Sequence, residues 1–289
     1  MGKKKLPRLA IFSHPDRQKV AEVVEEFQDF ARGRAEIVAS RGIDGCSDNA
    51  LENCDFAVVF GGDGSIISAA RNLCQAGIPL IGVNLGKLGF LAEFNVGEFM
   101  RFFDDIVSGK IPIEKRMLLN CKVFDSSNQN KEKFSSVVVN DVFITAGPLH
   151  RIIELKMAVN GQPIAGCVGD GLIISTPTGS TAYNLSAGGP ILADSMEAMV
   201  ITPICPHSLS FRPIVISADS RVEVFCIRLS DGTAISIDGQ DSIELSIGYV
   251  IKLERGKSDF FVVSNPLRTR WDTLATKLGW AETPKYERD

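Results

Sequence analysis

Short apolar runs and segments of helical periodicity alternate along the first hundred residues, which predicts strands and helices in turn. Three apolar runs are typical of buried strands, at residues 9–12, 56–60 and 78–83. Apolar side chains spaced by three and four residues predict helices between Asp16 and Gly33, and over 65–76 and 98–107. Strand, helix and strand in succession indicate a parallel sheet covered by helices, so this part is predicted to be an α/β, Rossmann-like domain.

The pattern changes to period two from about Ile111, which predicts strands with one buried face. Alternation over residues 155–159 leads into Asn160-Gly161, a dipeptide typical of hairpin turns. Asp231-Gly232 and Asp238-Gly239 separate later strands in the same way. We therefore predict a larger, β-rich C-terminal domain of mostly antiparallel sheet.

The tail returns to helical periodicity from Asn265 and ends at Gly279. One face of this helix carries Trp271, Leu274 and Leu278. The predicted division is thus an α/β domain at residues 1–108, a β-rich domain at 109–265 and a helical tail at 266–289.

Composition and charge exclude several classes of protein. With 31 Lys and Arg against 35 Asp and Glu, the net charge of -4 argues against a dedicated nucleic-acid or acidic-membrane surface. Apolar runs stay well short of the ~18 residues of a membrane-spanning helix, so we expect a cytoplasmic protein. The 7 cysteines lack a CxxC pair and are expected to be small buried side chains, and the 3 scattered histidines argue against a zinc site.

A glycine-rich turn follows the apolar run at 56–60. It reads Gly61-Gly62-Asp63-Gly64-Ser65 and opens the helix predicted at 65–76. Glycines and helix amides suit a phosphate, but a carboxylate there is repelled unless it binds a metal or accepts a proton. Asp63 is therefore a candidate base or magnesium ligand, and the alternative is a tight turn in which Ser65 caps the helix.

Standard nucleotide-binding fingerprints do not fit. Ile67 stands where GxGxxG requires its third glycine, which disfavours a dinucleotide dehydrogenase. The Gly86-Lys87-Leu88 segment has no Ser or Thr after its lysine and is not a P-loop.

Two further segments place polar groups beside apolar strands. Residues 169–190 run from an apolar strand into a hydroxyl-rich turn with a tyrosine, which suits a polyhydroxylated ligand with the ring over a base; a loop with a capped helix is the alternative. Residues 137–144 contain Asn140 and Asp141 within one apolar strand. Buried polar groups need partners, so these two bond to protein or ligand, unless they mark a bulge or strand edge.

Taken together, the glycine turn, Asn140-Asp141 and the segment 175–183 resemble the NAD kinase family, which phosphorylates the 2′-hydroxyl of the adenosine ribose of NAD with ATP. Residues 82–91, 206–213 and 273–280 add to the match. The resemblance spans nearly the whole chain. Only the GGDG element is shared with diacylglycerol kinases and phosphofructokinases.

The resemblance implies a role for each matching residue. It makes Asp63 the catalytic base and assigns the ATP phosphates to Gly61, Gly62, Gly64 and Ser65. It implies NAD contacts from Asp63, Gly64, Asn140, Asp141, Arg151, Asp170, Thr181, Ala182, Tyr183, Ser186 and Gln240. Mg²⁺ would accompany ATP near Asp63 without a dedicated protein site, the tail helix would pack on the first domain, and the assembly would be a homodimer or homotetramer.

Two positions depart from the commonest pattern of the family. Ser65 stands where Thr is frequent and keeps the hydroxyl. Asp141 stands where Glu is frequent, and its shorter side chain would move the ribose contact or place a water in it. A lipid or sugar kinase with the same GGDG element and a non-catalytic NAD-binding regulator remain as alternatives.

Overall fold

A computed structural model of the chain describes residues 5–14, 18–43, 51, 54–86, 89–126, 128, 131–147 and 152–280. Within those residues, no helix combines the length and the apolar character needed to cross a membrane. The chain forms two compact units. The first unit consists of Met1–Ala69, Ile78–Glu114 and Phe261–Asp289, and the second of Ala70–Gly77 and Lys115–Phe260.

Strands outnumber helices in the part of the chain that the structure describes. The strands are β1 (Arg8–Ser13), β2 (Glu36–Gly42), β3 (Phe56–Phe60), β4 (Leu80–Asn84), β5 (Phe94–Asn95), β6 (Ile113–Asp125), β7 (Lys131–Val138), β8 (Asp141–Thr145), β9 (Ile153–Val159), β10 (Gln162–Gly169), β11 (Gly171–Ser175), β12 (Ala198–Ile204), β13 (Ile214–Ser217), β14 (Val222–Arg228), β15 (Ala234–Ile237), β16 (Asp241–Glu244) and β17 (Tyr249–Val263). The helices are α1 (Gln18–Ala31), α2 (Asp63–Leu73), α3 (Val96–Val107), α4 (Tyr183–Ser186) and α5 (Arg270–Leu278), with a 3-10 turn at Thr178–Thr181.

A parallel sheet in the order β2-β1-β3-β4 forms the centre of the first unit, and Val262 of β17 pairs with Leu80 of β4. This arrangement confirms the predicted α/β class of the N-terminal part. The strand predicted at 56–60 coincides with β3. No sequence pattern predicts β2, because none of its side chains is fully buried.

Helices α2 and α3 begin earlier than the apolar periodicity predicts. Helix α2 starts at Asp63, so Ser65 lies inside its first turn and donates its backbone N–H to the Gly62 carbonyl at 3.0 Å. The interpretation of Ser65 as the N-cap is therefore wrong. Helix α3 starts at Val96 because the side chains of Asn95 and Glu98 form a capping box. Asp16, at the predicted start of the first helix, lies outside the described residues.

Aromatic packing dominates the core of the first unit. Phe27 of α1 lies 4.8 Å from Phe99 and 6.0 Å from Phe103, measured between ring centroids, and 5.6 Å from Phe60. All four side chains are essentially inaccessible to solvent. Burial of such large rings makes this cluster a major stabilising contact between α1, α3 and β3.

The tail helix starts later than predicted, and its apolar face is only partly buried. Thr269 caps α5 at Arg270, whereas Asn265 donates its side-chain amide to the Glu93 carbonyl at 2.8 Å. Of the predicted face only Leu274 is buried. Trp271 is 59% exposed and stacks on Trp280 with the ring centroids 6.0 Å apart, so only part of this apolar face packs against the protein.

Two packed sheets form the second unit. One has the order β10-β9-β14-β17, with β6 on β17 and β7 on β6; the other has the order β13-β12-β11-β8-β15-β16 and is antiparallel throughout. Alternate side chains of both sheets share one core, including Leu155 and Val224 from the first sheet and Ile144 and Leu172 from the second. The predicted β-rich, antiparallel C-terminal part is confirmed.

The hairpins of this unit use the predicted turn residues. Asn160 and Gly161 both have positive φ between β9 and β10, as do Asp238 and Gly239 between β15 and β16. The single strand predicted at 137–144 is wrong, because β7 ends at Val138 and β8 begins at Asp141. The polar residues that interrupt the pattern therefore mark a break between strands.

The six cysteines that the structure describes are free, and most of them are buried as predicted. Four are buried, namely Cys74, Cys121, Cys167 and Cys226. Cys54 is half-buried and Cys46 lies outside the described residues. Cys205 is exposed, which contradicts its prediction, because it follows the end of β12.

Replacing Phe27 by Ala should lower the free energy of unfolding by about 3–5 kcal/mol, since the ring leaves a cavity in a packed aromatic cluster. Urea denaturation followed by tryptophan fluorescence measures the change, because the 2 tryptophans of the chain both belong to the first unit. Ile247→Ala is the control: this side chain is 67% exposed, and its loss should cost less than about 0.5 kcal/mol. Equal losses in the two variants would contradict the assigned core.

Candidate active site

The glycine turn carries Asp63 from the end of buried strand β3 to the start of α2. Gly61 donates its amide to the Val83 carbonyl at 2.9 Å, and a Cβ on Gly61 would lie 2.4 Å from the Ser65 hydroxyl oxygen. A side chain therefore does not fit at Gly61. A Cβ on Gly62 or Gly64 would meet no atom within 4 Å, so the backbone is open to a ligand at both positions.

Three consecutive backbone amides fix the Asp63 carboxylate. Phe90 N–H donates to Oδ2 at 2.8 Å, and Leu91 and Ala92 N–H donate to Oδ1 at 2.9 and 3.1 Å. A Cβ on Gly89 would lie 1.8 Å from Oδ1, so only glycine allows the loop this close. A carboxylate has about four lone-pair positions, which leaves one for a further proton donor.

In the second unit, another aspartate holds the break between β7 and β8. Asp238 accepts the amides of Val139, Asn140 and Asp141 at 3.0, 2.7 and 3.1 Å, and its own amide donates to the Asp141 carbonyl at 2.9 Å. Its side chain is fully buried. These bonds use the amides that a continuous strand would have given to a neighbour, which explains why the predicted strand 137–144 is interrupted.

The hydroxyl-rich segment after β11 donates hydrogen bonds to backbone carbonyls of the same break. Thr176 donates its hydroxyl to the Val139 carbonyl at 2.6 Å and its amide to the Asn140 carbonyl at 2.8 Å. Ser180 donates its hydroxyl to the Pro177 carbonyl at 2.6 Å. The hydroxyls of Thr176 and Ser180 are inaccessible to solvent, so their interpretation as ligand-binding groups is wrong.

Asp141 is a buried carboxyl with one unpartnered oxygen. It is 3% exposed; the Tyr183 amide donates to the carboxyl, while Oδ2 is buried without a hydrogen-bond partner. Burial, and next the charge of Asp238, raise the pKa of Asp141 to about 7. Tyr183 is partly exposed and its ring meets Phe143 edge-on, with the centroids 5.1 Å apart.

The other predicted NAD residues have different positions in the second unit. Asp170 is exposed just before β11. Asp141 pairs with Ser175 at the other end of this strand, five residues along the chain from Asp170. At a rise of ~3.4 Å per residue, the two aspartates are separated by about 17 Å along the strand. Gln240 is exposed in the β15–β16 turn. Thr181 and Ala182 are half-buried beside Tyr183, and Ser186 is exposed at the end of α4. Arg151 lies outside the described residues.

Three residues of these arrangements have no role assigned from the sequence: Gly89, Asp238 and Arg71. In the sequence, Asp238-Gly239 indicates only a turn, and Gly89 is only one residue of the family motif at 82–91. Arg71 lies in the last turn of α2, where its charge interrupts an otherwise apolar run after Ala69-Ala70. That lone charge is the one local signal of a buried partner.

Two protein domains of known families match this chain in order. Residues 12–111 match the ATP-NAD kinase N-terminal domain, and residues 139–264 match the ATP-NAD kinase C-terminal domain. The chain belongs to the ATP-NAD kinase family. The resemblance seen in the motifs is thereby confirmed.

Similar ATP-NAD kinase sequences cover most of the chain. The NAD kinase of Geobacter sulfurreducens is 42% identical over 228 residues, which is 79% of each protein. The NAD kinase of Geotalea daltonii is 36% identical over an alignment of 287 residues, covering 96% of this chain and all of the relative.

Solved structures share the ATP-NAD kinase fold. The yeast NADH kinase complexed with NADH has a TM-score of 0.86 at 23% identity, covering 99% of this chain and 91% of that one. The NAD kinase of Archaeoglobus fulgidus in complex with ATP has a TM-score of 0.75 at 24% identity, covering 94% and 98%. At these identities the likeness establishes the fold.

Replacing Asp141 by Asn should change how stability depends on pH. Folded Asp141 keeps its proton up to about pH 7, whereas the unfolded residue releases it near 3.8, so the folded protein loses stability as the pH rises through this interval. The variant lacks that loss. Its free energy of unfolding relative to the unsubstituted protein should rise from about pH 4 to about pH 7 and then level off.

Urea denaturation followed by circular dichroism at a series of pH values measures this difference. Asp219→Asn, at an exposed position of the same unit, controls for the loss of a negative charge. A difference between Asp141→Asn and the unsubstituted protein that stays constant with pH would contradict the raised pKa.

Proposed function

We propose that this chain transfers the γ-phosphoryl group of ATP to the 2′-hydroxyl of the adenosine ribose of NAD, which makes NADP. The observation that carries the proposal is the Asp63 carboxylate, fixed by three amides at the start of α2 in a member of the ATP-NAD kinase family. The similar structures that hold NADH and ATP support these two classes of ligand.

Asp63 acts as the general base in this proposal. As the ribose oxygen attacks the γ-phosphorus, the hydroxyl proton passes to a carboxylate oxygen, the new O–P bond forms and the bond to ADP breaks. The fixed carboxylate meets the main requirement of phosphoryl transfer, which is positioning of the reacting groups. Gly61, Gly62, Gly64 and Ser65 surround the ATP phosphates in the proposal, and the amino end of α2 supplies a favourable dipole.

Magnesium is proposed to arrive with ATP near Asp63, without a protein site of its own. Mg²⁺ is typically held by one or two carboxylates together with substrate phosphates. Within the residues that the structure describes, no three Asp, Glu, His or Cys side chains come together as a metal site would require. Bound Mg²⁺ would offset negative charge on the transferring phosphoryl oxygens.

The residues proposed to contact NAD are Asp63 and Gly64, and in addition nine residues of the second unit. The latter are Asn140, Asp141, Arg151, Asp170, Thr181, Ala182, Tyr183, Ser186 and Gln240. The Asn140–Asp141 corner contacts a ribose and Tyr183 offers its exposed ring to a base. Because Asp141 is shorter than the Glu frequent in the family and almost wholly buried, its contact with the ribose is displaced or runs through a water.

The match over 139–264 favours this reaction over that of a lipid or sugar kinase, which shares only the glycine turn. The presence of Asp63, with its three amide bonds, favours an enzyme over a non-catalytic NAD-binding regulator.

We also propose a homodimer or homotetramer in the cytoplasm. The edge strand β13 leaves Ile214 and Val215 more than two-fifths exposed, and Leu209 nearby in sequence is 88% exposed. Exposed apolar side chains on a sheet edge are typical of surfaces that a second copy covers.

Incubation of the purified protein with NAD, ATP and Mg²⁺, followed by chromatography, tests the reaction. We expect one NADP formed for each ADP released. A matched incubation with diacylglycerol or a hexose phosphate in place of NAD should give no phosphorylated product. Phosphate transfer to either of these, without NADP, would contradict the proposal.

Asp63→Asn should lower the rate of NADP formation by at least about 10²-fold, because an amide cannot accept the proton. Binding of NAD, measured by calorimetry, should persist. Thermal unfolding controls for the amide bonds that the new side chain loses. A near-normal rate in a folded Asp63→Asn variant would show that Asp63 is not the base.

A further inference from the structure

Arg71 joins three segments of the second unit through one guanidinium group. Nη2 donates to the Ser136 hydroxyl at 2.7 Å and forms an ion pair with Asp241, and Nη1 donates to the Gln240 side-chain oxygen at 3.4 Å. Nε lies 3.9 Å from Asp238 Oδ2. These partners belong to β7, the β15–β16 turn and β16, and a planar fork of five donors suits such an arrangement.

The ion pair with Arg71 matters because Asp238 is buried. Burial raises the pKa of Asp238, and the three amide bonds and the positive charge of Arg71 oppose that rise. The ionised form is the one that accepts three amides at once. Without Arg71, the carboxylate would be a buried charge with a weaker counterpart, and protonation would remove one acceptor oxygen.

The backbone of residues 139–141 depends on that carboxylate. Its three amides donate to Asp238 and its three carbonyls accept from Thr176 and from the Asp238 amide. If Asp238 no longer accepted these hydrogen bonds, the amides of residues 139–141 would lose their partners. The directions of the Asn140 and Asp141 side chains would then no longer be fixed.

We infer that Arg71 is a positioning residue for NAD: it fixes the Asn140–Asp141 corner through Asp238 and orients Gln240 directly. The inference rests on the proposed function, in which Asn140, Asp141 and Gln240 contact NAD. Arg71 itself is no catalytic residue in this account, since its guanidinium bonds are used within the protein.

The test compares Arg71→Met, Arg71→Lys and the control Arg228→Met. Arg228 forms an exposed ion pair with Glu154 on the same unit, so its loss removes an arginine without touching the corner. Calorimetry should show NAD binding about 10- to 100-fold weaker in Arg71→Met, the effect of losing a hydrogen-bonded charge. Arg71→Lys keeps a positive charge near Asp238, so its affinity for NAD should lie between those of Arg71→Met and the unsubstituted protein. Arg228→Met should bind NAD as the unsubstituted protein does.

Kinetics separate positioning from general damage. In Arg71→Met the KM for NAD should rise while the KM for ATP stays near its original value, because the proposed phosphate-binding turn belongs to the first unit. Unchanged NAD affinity in Arg71→Met, or equal rises in both KM values, would overturn the inference.

A double variant covers the case in which Arg71→Met folds poorly. Arg71→Met with Asp238→Asn removes both charges, which should recover thermal stability because no buried charge is left alone. NAD affinity should stay low, because an Asn side chain has one acceptor oxygen for the corner. If affinity recovers together with stability, Arg71 acts only on folding and the inference is wrong.

The same measurements distinguish this inference from the proposed function. Unsubstituted protein that binds NAD but forms no NADP contradicts the proposed reaction, while the binding comparison still decides the role of Arg71. Unsubstituted protein that forms NADP, with Arg71→Met binding NAD equally well, overturns the inference alone.

Discussion

Two aspartates, one in each unit, each hold three consecutive backbone amides, and the local geometry around each of them follows from those bonds. Asp63 holds the amides of Phe90–Ala92, and Asp238 holds those of residues 139–141. In both cases an anion replaces the sheet or helix partners that the amides would otherwise have. A loop without regular structure is thus fixed by a single side chain, and the groups proposed to react or bind are carried by the fixed parts.

The carboxyls of the second unit have unequal surroundings. Asp238 has three amides and Arg71, whereas Asp141 has the Tyr183 amide and an oxygen without a partner. Burial raises the pKa of both, and at Asp238 the three amide bonds and the charge of Arg71 oppose that rise. The pair therefore consists of a carboxyl whose charged form is stabilised by several donors and a carboxyl that keeps its proton to about neutral pH. The second of these, Asp141, lies beside the proposed ligand.

Local patterns in the sequence were sufficient for elements whose partners lie nearby. The strand at 56–60, the glycine turn with Asp63 and the Asn160-Gly161 hairpin need only their own neighbours. The break at Asn140 needs an acceptor 97 to 99 residues away, and α5 starts at Arg270 because Asn265 bonds to Glu93 instead of opening the helix. The direction of a buried hydroxyl cannot be predicted from the sequence either. A threonine such as Thr176 looks the same in the sequence whether its hydroxyl binds a ligand or a backbone carbonyl.

The inward direction of those hydroxyls has a thermodynamic consequence. Thr176 and Ser180 hold their segment through bonds to the backbone before any ligand is present. The conformational entropy of ordering residues 176–181 is therefore lost when the chain folds, not when a ligand arrives. A molecule that binds beside this segment meets a preorganised surface, and little of its binding free energy is consumed in ordering the loop.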